Sequence, residues 1–247
     1  MHINKAILVM MTTTMTLCTN TTSAWSYDIK HELTHGHGTL QLGGYWGIIN
    51  NAEHINISGL IGDDFDGSNG NRGSGVVGVG YYVSGPDIQK VNMSYGINWF
   101  FLGKTSVGGT VTQENLFTNL AYGYNVTNYP LYVMAKSTFQ TPSPNHNLTL
   151  DLGIGPNFMT TGNFQEQSLG ADTIPDQIFT GTTTTTFAAT VGVGVKFKQF
   201  FGKVPLECGY RFFYLGTGNF NALNNQVVNN LNTGPVYANA VMCAMTI

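Results

Sequence analysis

Charge is what this 247-residue sequence has least of. Asp, Glu, Lys and Arg make up 9% of it, against about 25% in an ordinary soluble domain. Its ten Lys and Arg are scattered and form no basic stripe, which argues against a nucleic-acid binder. Beyond residue 18 there is no run of about 18 apolar residues, which excludes a helical membrane protein. Cysteine is scarce, at three, with no CxxC and no Cys/His metal spacing. Hydrophobic residues are not scarce, at 42%, and the net charge is only −3. Such a chain can bury a core, so disorder is excluded as well. With 31 glycines and 12% aromatics, the remaining reading is a Gly-rich, aromatic-rich chain of short strands.

Residues 1–24 read as a cleavable signal peptide. Lys5 is the only Lys, Arg, Asp or Glu before Asp28. A Thr-diluted apolar stretch from Ala6 to Cys18 follows, too short to span a bilayer, and Thr22-Ser23-Ala24 offers a small-residue cleavage site. Cys18 suits a lipoprotein poorly, because Leu17 stands where a lipobox has a small residue. Residues 25–38 are expected to be a periplasmic tail, and residues 39–247 the folded domain. Export leaves Cys208 and Cys243 free to oxidise.

The domain alternates with a period of two. Met93, Tyr95, Ile97, Trp99 and Phe101 form one face of a segment whose other face is Asn92, Ser94, Gly96 and Asn98. Segments 148–158, 186–197 and 206–214 repeat the pattern. A helix needs apolar residues three and four apart, which these segments lack. A soluble sandwich also alternates. Here, however, the apolar face is aromatic on nearly every strand, and the opposite face is Gly, Thr, Asn and Ser. That is the dyad pattern of a membrane β-barrel, apolar towards lipid and polar towards the lumen. Rings near strand ends, such as Trp99-Phe100-Phe101 and Phe212-Phe213-Tyr214, suit the membrane interfaces.

The expected fold is therefore all-β, a closed antiparallel up-and-down transmembrane β-barrel. Candidate strands lie near 39–49, 53–62, 75–84, 92–103, 115–126, 130–140, 147–158, 185–197, 204–215 and 235–247. That makes ten, an even number, with eight as the alternative if 53–62 is an extracellular excursion and one more strand drops out. Counting back from a periplasmic C-terminus, the polar stretches 159–184 and 217–233 fall outside as long loops. DDFDGSNGN (63–71) fails as a calcium loop, since Asn69 stands where Gly is needed and Gly75 where Glu is needed, and it reads as a turn.

HINISGLIGD (54–63), MSYGINWFFLGKTSV (93–107), LDLGIGPNFM (150–159) and PLECGYRFFYLG (205–216) resemble a family of small outer-membrane β-barrel proteins multiplied in intracellular gamma-proteobacterial pathogens. The resemblance covers most of residues 39–247. It implies a cell outer-membrane location and no assigned activity. The last strand resembles a barrel-assembly signal, with Tyr237, Val241, Cys243, Met245 and Ile247 on one outward face, although it ends in Ile rather than the usual Phe. The implied partners are outer-membrane lipid and the barrel-assembly machinery. An extracellular partner at 159–184 and 217–233 is a further expectation.

Candidate site residues are few. The lumen face carries Lys136, Asp151, Lys196, Glu207 and Arg211. If a hairpin pairs Gln140 with Asn147, Lys136 faces Asp151. These ions either plug the lumen or gate it. Gly78, Gly80, Gly96, Gly123, Gly153, Gly155, Gly192, Gly194 and Gly209 also face inward, leaving room for Tyr45, Tyr82 and Tyr132 or for a thin water path. Cys208 and Cys243 fall opposite each other on the last two strands, either disulfide-bonded or as two small lipid-facing residues. His31, His35 and His37 could hold zinc or copper, or belong to a solvated tail. His54 with Asp63 or Asp64 could be imagined as a hydrolytic pair, but no serine motif or two-carboxylate spacing supports an enzyme. No cofactor is expected. The function expected is structural or surface interaction, with a narrow non-specific porin as the alternative and an outer-membrane hydrolase behind it.

Overall fold

The computed structural model describes residues 36–67, 73–170, 173–202 and 204–247. The expected signal peptide, His31 and His35 lie outside them. Eleven strands form, all paired antiparallel: β1 (His37–Ile49), β2 (Ala52–Ile55), β3 (Asp63–Gly67), β4 (Gly73–Ile88), β5 (Val91–Gln113), β6 (Phe117–Gln140), β7 (His146–Ser168), β8 (Phe179–Gly181), β9 (Thr183–Phe201), β10 (Val204–Ala222) and β11 (Asn232–Thr246). Strand β1 begins at His37, two residues inside the expected tail.

Eight of these strands close a ring in the order β1-β4-β5-β6-β7-β9-β10-β11, and β11 pairs back onto β1 with Leu42 opposite Cys243. Closure leaves no open edge in the ring. The barrel has eight strands, not the ten preferred from the sequence. Segment 53–62 leaves the ring: β2 and β3 form a hairpin whose β3 continues the upper half of β5, with Phe65 opposite Val111. Asp63–Gly67 is thus a strand and not a turn. Segments 115–126 and 130–140 are one strand, β6. Proline lacks the N–H a ladder needs, which is why Pro130 reads as a boundary. The chain runs through it because the β5–β6 ladder skips that point, passing from Trp99–Leu131 to Leu102–Asn128. The neighbouring Tyr129 amide donates to the Asn157 side chain at 3.1 Å.

One end of the barrel carries both described chain ends, the short turns near 89–90 and 141–145, and Gly202 at the end of β9. The other carries the β2–β3 hairpin, the β5–β6 turn, residues 169–170, residues 173–178 and residues 223–231. The expected long loops are shorter than 159–184 and 217–233, because β7 runs on to Ser168 and β10 to Ala222.

Outward side chains on the lower two thirds are apolar and exposed. Leu42, Ile97, Val133, Leu152, Ile154, Phe187, Val193 and Val241 are each more than half accessible. About 10 tilted residues per strand cross a bilayer, and the belt spans about that length. Above it, β5, β6 and β7 continue as a collar whose outward face is polar, with Ser106, Asn125, Gln165 and Gln167 along one exterior groove. The apolar side chains of the collar turn inward instead: Val107, Val111, Leu120, Tyr122, Tyr124 and Phe164 are all buried.

Candidate functional site

The lumen is filled in layers. Nearest the turn end lie the ions. Lys136 and Asp151 are paired in register, as the hairpin with Gln140 opposite Asn147 requires. The Lys136 ammonium nevertheless donates to Glu207 Oε2 at 2.7 Å and stands 3.7 Å from Asp151 Oδ1. The Arg211 guanidinium donates to Asp151 Oδ2 at 2.5 Å. Glu207 Oε1 accepts from the Thr149 hydroxyl at 3.0 Å. All four charged side chains are mostly shielded from solvent, so each carboxylate sits against a cation where water cannot screen it. Lys196 lies opposite Glu207 in register and half-buried. A space of about 20 Å³ is left among Gln41, Asp151, Glu207 and Arg211, room for one water.

Above the ions is an aromatic layer. Arg211 lies over the Phe100 ring at 5.4 Å, and Lys136 over the Tyr82 ring at 5.3 Å. Phe100 packs edge-on against Phe213 at 5.4 Å and Tyr132 at 6.0 Å. Tyr82 accepts a hydrogen bond from Asn98 at 2.9 Å. The inward glycines make this room. A Cβ on Gly78 would stand 2.5 Å from the Phe100 ring, and one on Gly96 would stand 2.8 Å from Tyr82. Gly123 is the exception to the expected list: it faces outward, since its neighbours Tyr122 and Tyr124 are the buried ones. Higher still, Asn157 donates to Asn128 at 2.9 Å and to the Leu215 carbonyl at 2.8 Å. An aromatic cap of Phe65, Tyr122, Phe164, Phe179, Tyr124 and Phe220 then closes the loop end, with ring centroids 4.9–6.4 Å apart.

Cys208 and Cys243 pair in register on β10 and β11, with Cα atoms 4.0 Å apart, and their sulfurs are bonded. The disulfide faces outward on the closing hairpin, between Tyr210 and Met245. His37 stacks on Tyr82 at 5.9 Å, as a strand residue. Among the described residues no three His, Cys, Asp or Glu side chains come together as a metal cage.

The loop end is acidic. Glu53, Asp63, Asp64, Asp66, Glu114, Glu166 and Asp176 all lie there. Among the described residues no Lys or Arg accompanies them; Lys104 stops at the upper edge of the belt. His54 Nδ1 donates to Asp64 at 2.7 Å and Nε2 donates to the Ile61 carbonyl at 3.1 Å. Both ring nitrogens face acceptors, which favours the charged form of the ring, and the hydrogen bond to Asp64 raises its pKa. Burial raises the pKa of Asp63, against a backbone amide of Glu114, and the carboxylates of Glu114, Asp176 and Asp64 add to it. Burial likewise raises Glu166, although its Oε2 accepts from the Asp176 and Gln177 amides, both at 3.2 Å. A cleft of about 460 Å³ opens among these groups. Sequence reasoning missed it, because its residues come from four separate connections.

No protein-family model matches the chain, and neither does any curated protein sequence. The structure is similar to that of the outer membrane protein OprG from Pseudomonas aeruginosa, with a TM-score of 0.50 and 9% identity over 86% of this chain and 96% of that one. It is less similar to Neisserial surface protein A, at a TM-score of 0.45 and 12% identity over 86% and 96% of the two chains. The outer membrane protease OmpT from Escherichia coli matches at a TM-score of 0.45 and 9% identity, over 85% and 94%. At such identities the likeness is one of fold. The eight-stranded ring and its apolar belt make this chain a membrane-spanning β-barrel protein.

Proposed function

We propose that the barrel is a closed, non-conducting outer-membrane scaffold whose work is surface interaction at the loop end. One observation carries this reading. The lumen is occupied from end to end by the Lys136–Glu207 and Arg211–Asp151 pairs, the Phe100–Tyr132–Phe213 layer and the aromatic cap. An eight-stranded barrel is only wide enough for side chains to fill, and here they do. The resemblance to the barrel family multiplied in intracellular pathogens fits a surface role. In this reading Trp25 begins the mature chain, and the outward Val241, Met245 and Ile247 present the assembly signal.

A hydrolase is not the reading favoured. Both ring nitrogens of His54 are engaged within the protein, by Asp64 and by the Ile61 carbonyl, and neither is turned towards a nucleophile. The test is single-channel recording of the refolded barrel in a planar bilayer. The expected result is a silent membrane; stable unitary openings would establish the narrow porin in its place.

A further inference from the structure

We propose that the loop-end cleft binds a basic amphipathic peptide segment. This deepens the surface-interaction reading and rests on it, but not on the plugged lumen.

An eight-stranded barrel has four connections at its loop end, and all four line this cleft. The first supplies Asp63, the second Glu114, the third Asp176 and the fourth Val227, and the end of β7 adds Glu166. The volume of about 460 Å³ lies within the 300–1,000 Å³ typical of ligand sites. Four carboxylates face a space with no cation among its lining residues. The backbone amides that hold Glu114 and Glu166 are neutral dipoles and leave the negative charge uncompensated. Burial is the larger cause of the raised pKa values of Asp63 and Glu166, and the neighbouring carboxylates add to it.

The rim is apolar. Leu60, Leu116 and Phe117 are 61%, 70% and 64% exposed. They stand beyond the polar collar and so outside the bilayer, where lipid cannot cover them. Large apolar side chains rimmed by polar ones in water mark an interaction surface. A metal ion would answer the carboxylates and leave the rim bare. A lipid tail would answer the rim and strand the carboxylates. A segment that alternates Lys or Arg with large apolar residues answers both, and the seven carboxylates of this end would attract it from a distance.

The test uses the full chain in nanodiscs of zwitterionic lipid, with empty nanodiscs as baseline and a fluorescent Leu/Lys amphipathic peptide as probe. The expected result is binding above baseline, weakened at least about tenfold by Glu114→Gln with Asp176→Asn. A similar loss is expected from Leu116→Ser with Phe117→Ser, and from a Gly/Lys peptide of equal charge. Lys90→Gln at the turn end should change nothing. Circular dichroism and heat-modifiability on a gel confirm that each variant is folded. Binding equal to that of empty discs, binding that neither double variant alters, or preference for a Leu/Glu peptide would overturn the site. A barrel that conducts yet binds the peptide would overturn the plug and leave the site standing. A silent barrel that ignores the peptide would do the reverse.

Discussion

Lys136 reaches past its cross-strand neighbour. Its ammonium lies 3.7 Å from Asp151, the residue paired with it on β7, and 2.7 Å from Glu207 on β10, across the lumen. Asp151 is taken by Arg211. The strong pairs therefore run between strands that are not paired in the ladder: β6 and β10 are three places apart in the ring, and β7 and β10 are two apart with β9 between them.

Double-mutant cycles should show this. Breaking one partner of a buried pair costs about 3–5 kcal/mol. Lys136→Met with Glu207→Leu should recover much of that, and so should Arg211→Met with Asp151→Leu. Lys136 with Asp151 should couple by less than either. Urea unfolding in lipid vesicles gives the energies. A Lys136–Asp151 coupling larger than the Lys136–Glu207 coupling would refute the assignment.

The Cys208–Cys243 disulfide closes a sequence separation of 35. In the chain-entropy view such a loop is worth roughly 3–4 kcal/mol. The Cys208→Ser, Cys243→Ser variant should unfold at correspondingly lower denaturant. In the native chain, alkylation before a non-reduced digest should leave both thiols unlabelled and yield one cross-linked peptide pair by mass spectrometry. Two labelled thiols would remove the bond.

The belt has an upper boundary that charge can locate. Leu152 is 52% exposed within it, and Leu152→Arg should cost about 2–4 kcal/mol if it sits near the midplane. Gln165 lies on the exterior of the collar, and Gln165→Arg should assemble normally. Heat-modifiability on a gel reports both. Equal tolerance at the two positions would mean that the apolar belt does not face lipid.

Acidification should tighten the loop end. Asp63 and Glu166 have folded pKa values raised by burial, so their ionised forms are penalised in the folded state. That penalty is full above the raised pKa and fades as pH falls through it towards the ordinary carboxylate range. His54 is raised in the opposite sense, its hydrogen bond to Asp64 favouring the charged ring. Its contribution is present below the ordinary histidine pKa and lost as pH rises through the folded value. Both effects act in one direction as pH falls from above the histidine range into the ordinary carboxylate range. Amide exchange in residues 173–178 and 223–231, corrected for intrinsic rates, should slow over that range. Glu166→Gln should flatten the profile. Faster opening in acid would contradict the assignment.

Much of this could be read from residues alone. Alternation made the chain a barrel, because strand periodicity is local and lipid demands one apolar face. The registers of Lys136 with Asp151 and Cys208 with Cys243 were legible for the same reason: each pair belongs to one hairpin, and a short antiparallel connection sets its register. Three things required the tertiary structure. Pro130 looked like a strand end, and only a gap in the β5–β6 ladder shows why the strand survives it. The partner of Lys136 depended on which walls of the ring face each other, which no hairpin specifies. The acidic cleft depended on four connections converging. Its surroundings were hidden by a change of character on one face. On β6 the outward, odd-numbered residues are apolar in the belt, at Leu131, Val133 and Phe139, and small or polar in the collar, at Ala121, Gly123 and Asn125. The inward, even-numbered Leu120, Tyr122, Tyr124, Tyr132 and Met134 are buried along the whole strand. The strand itself never turns. Its outer solvent does, from lipid to water, and only the outward face changes with it.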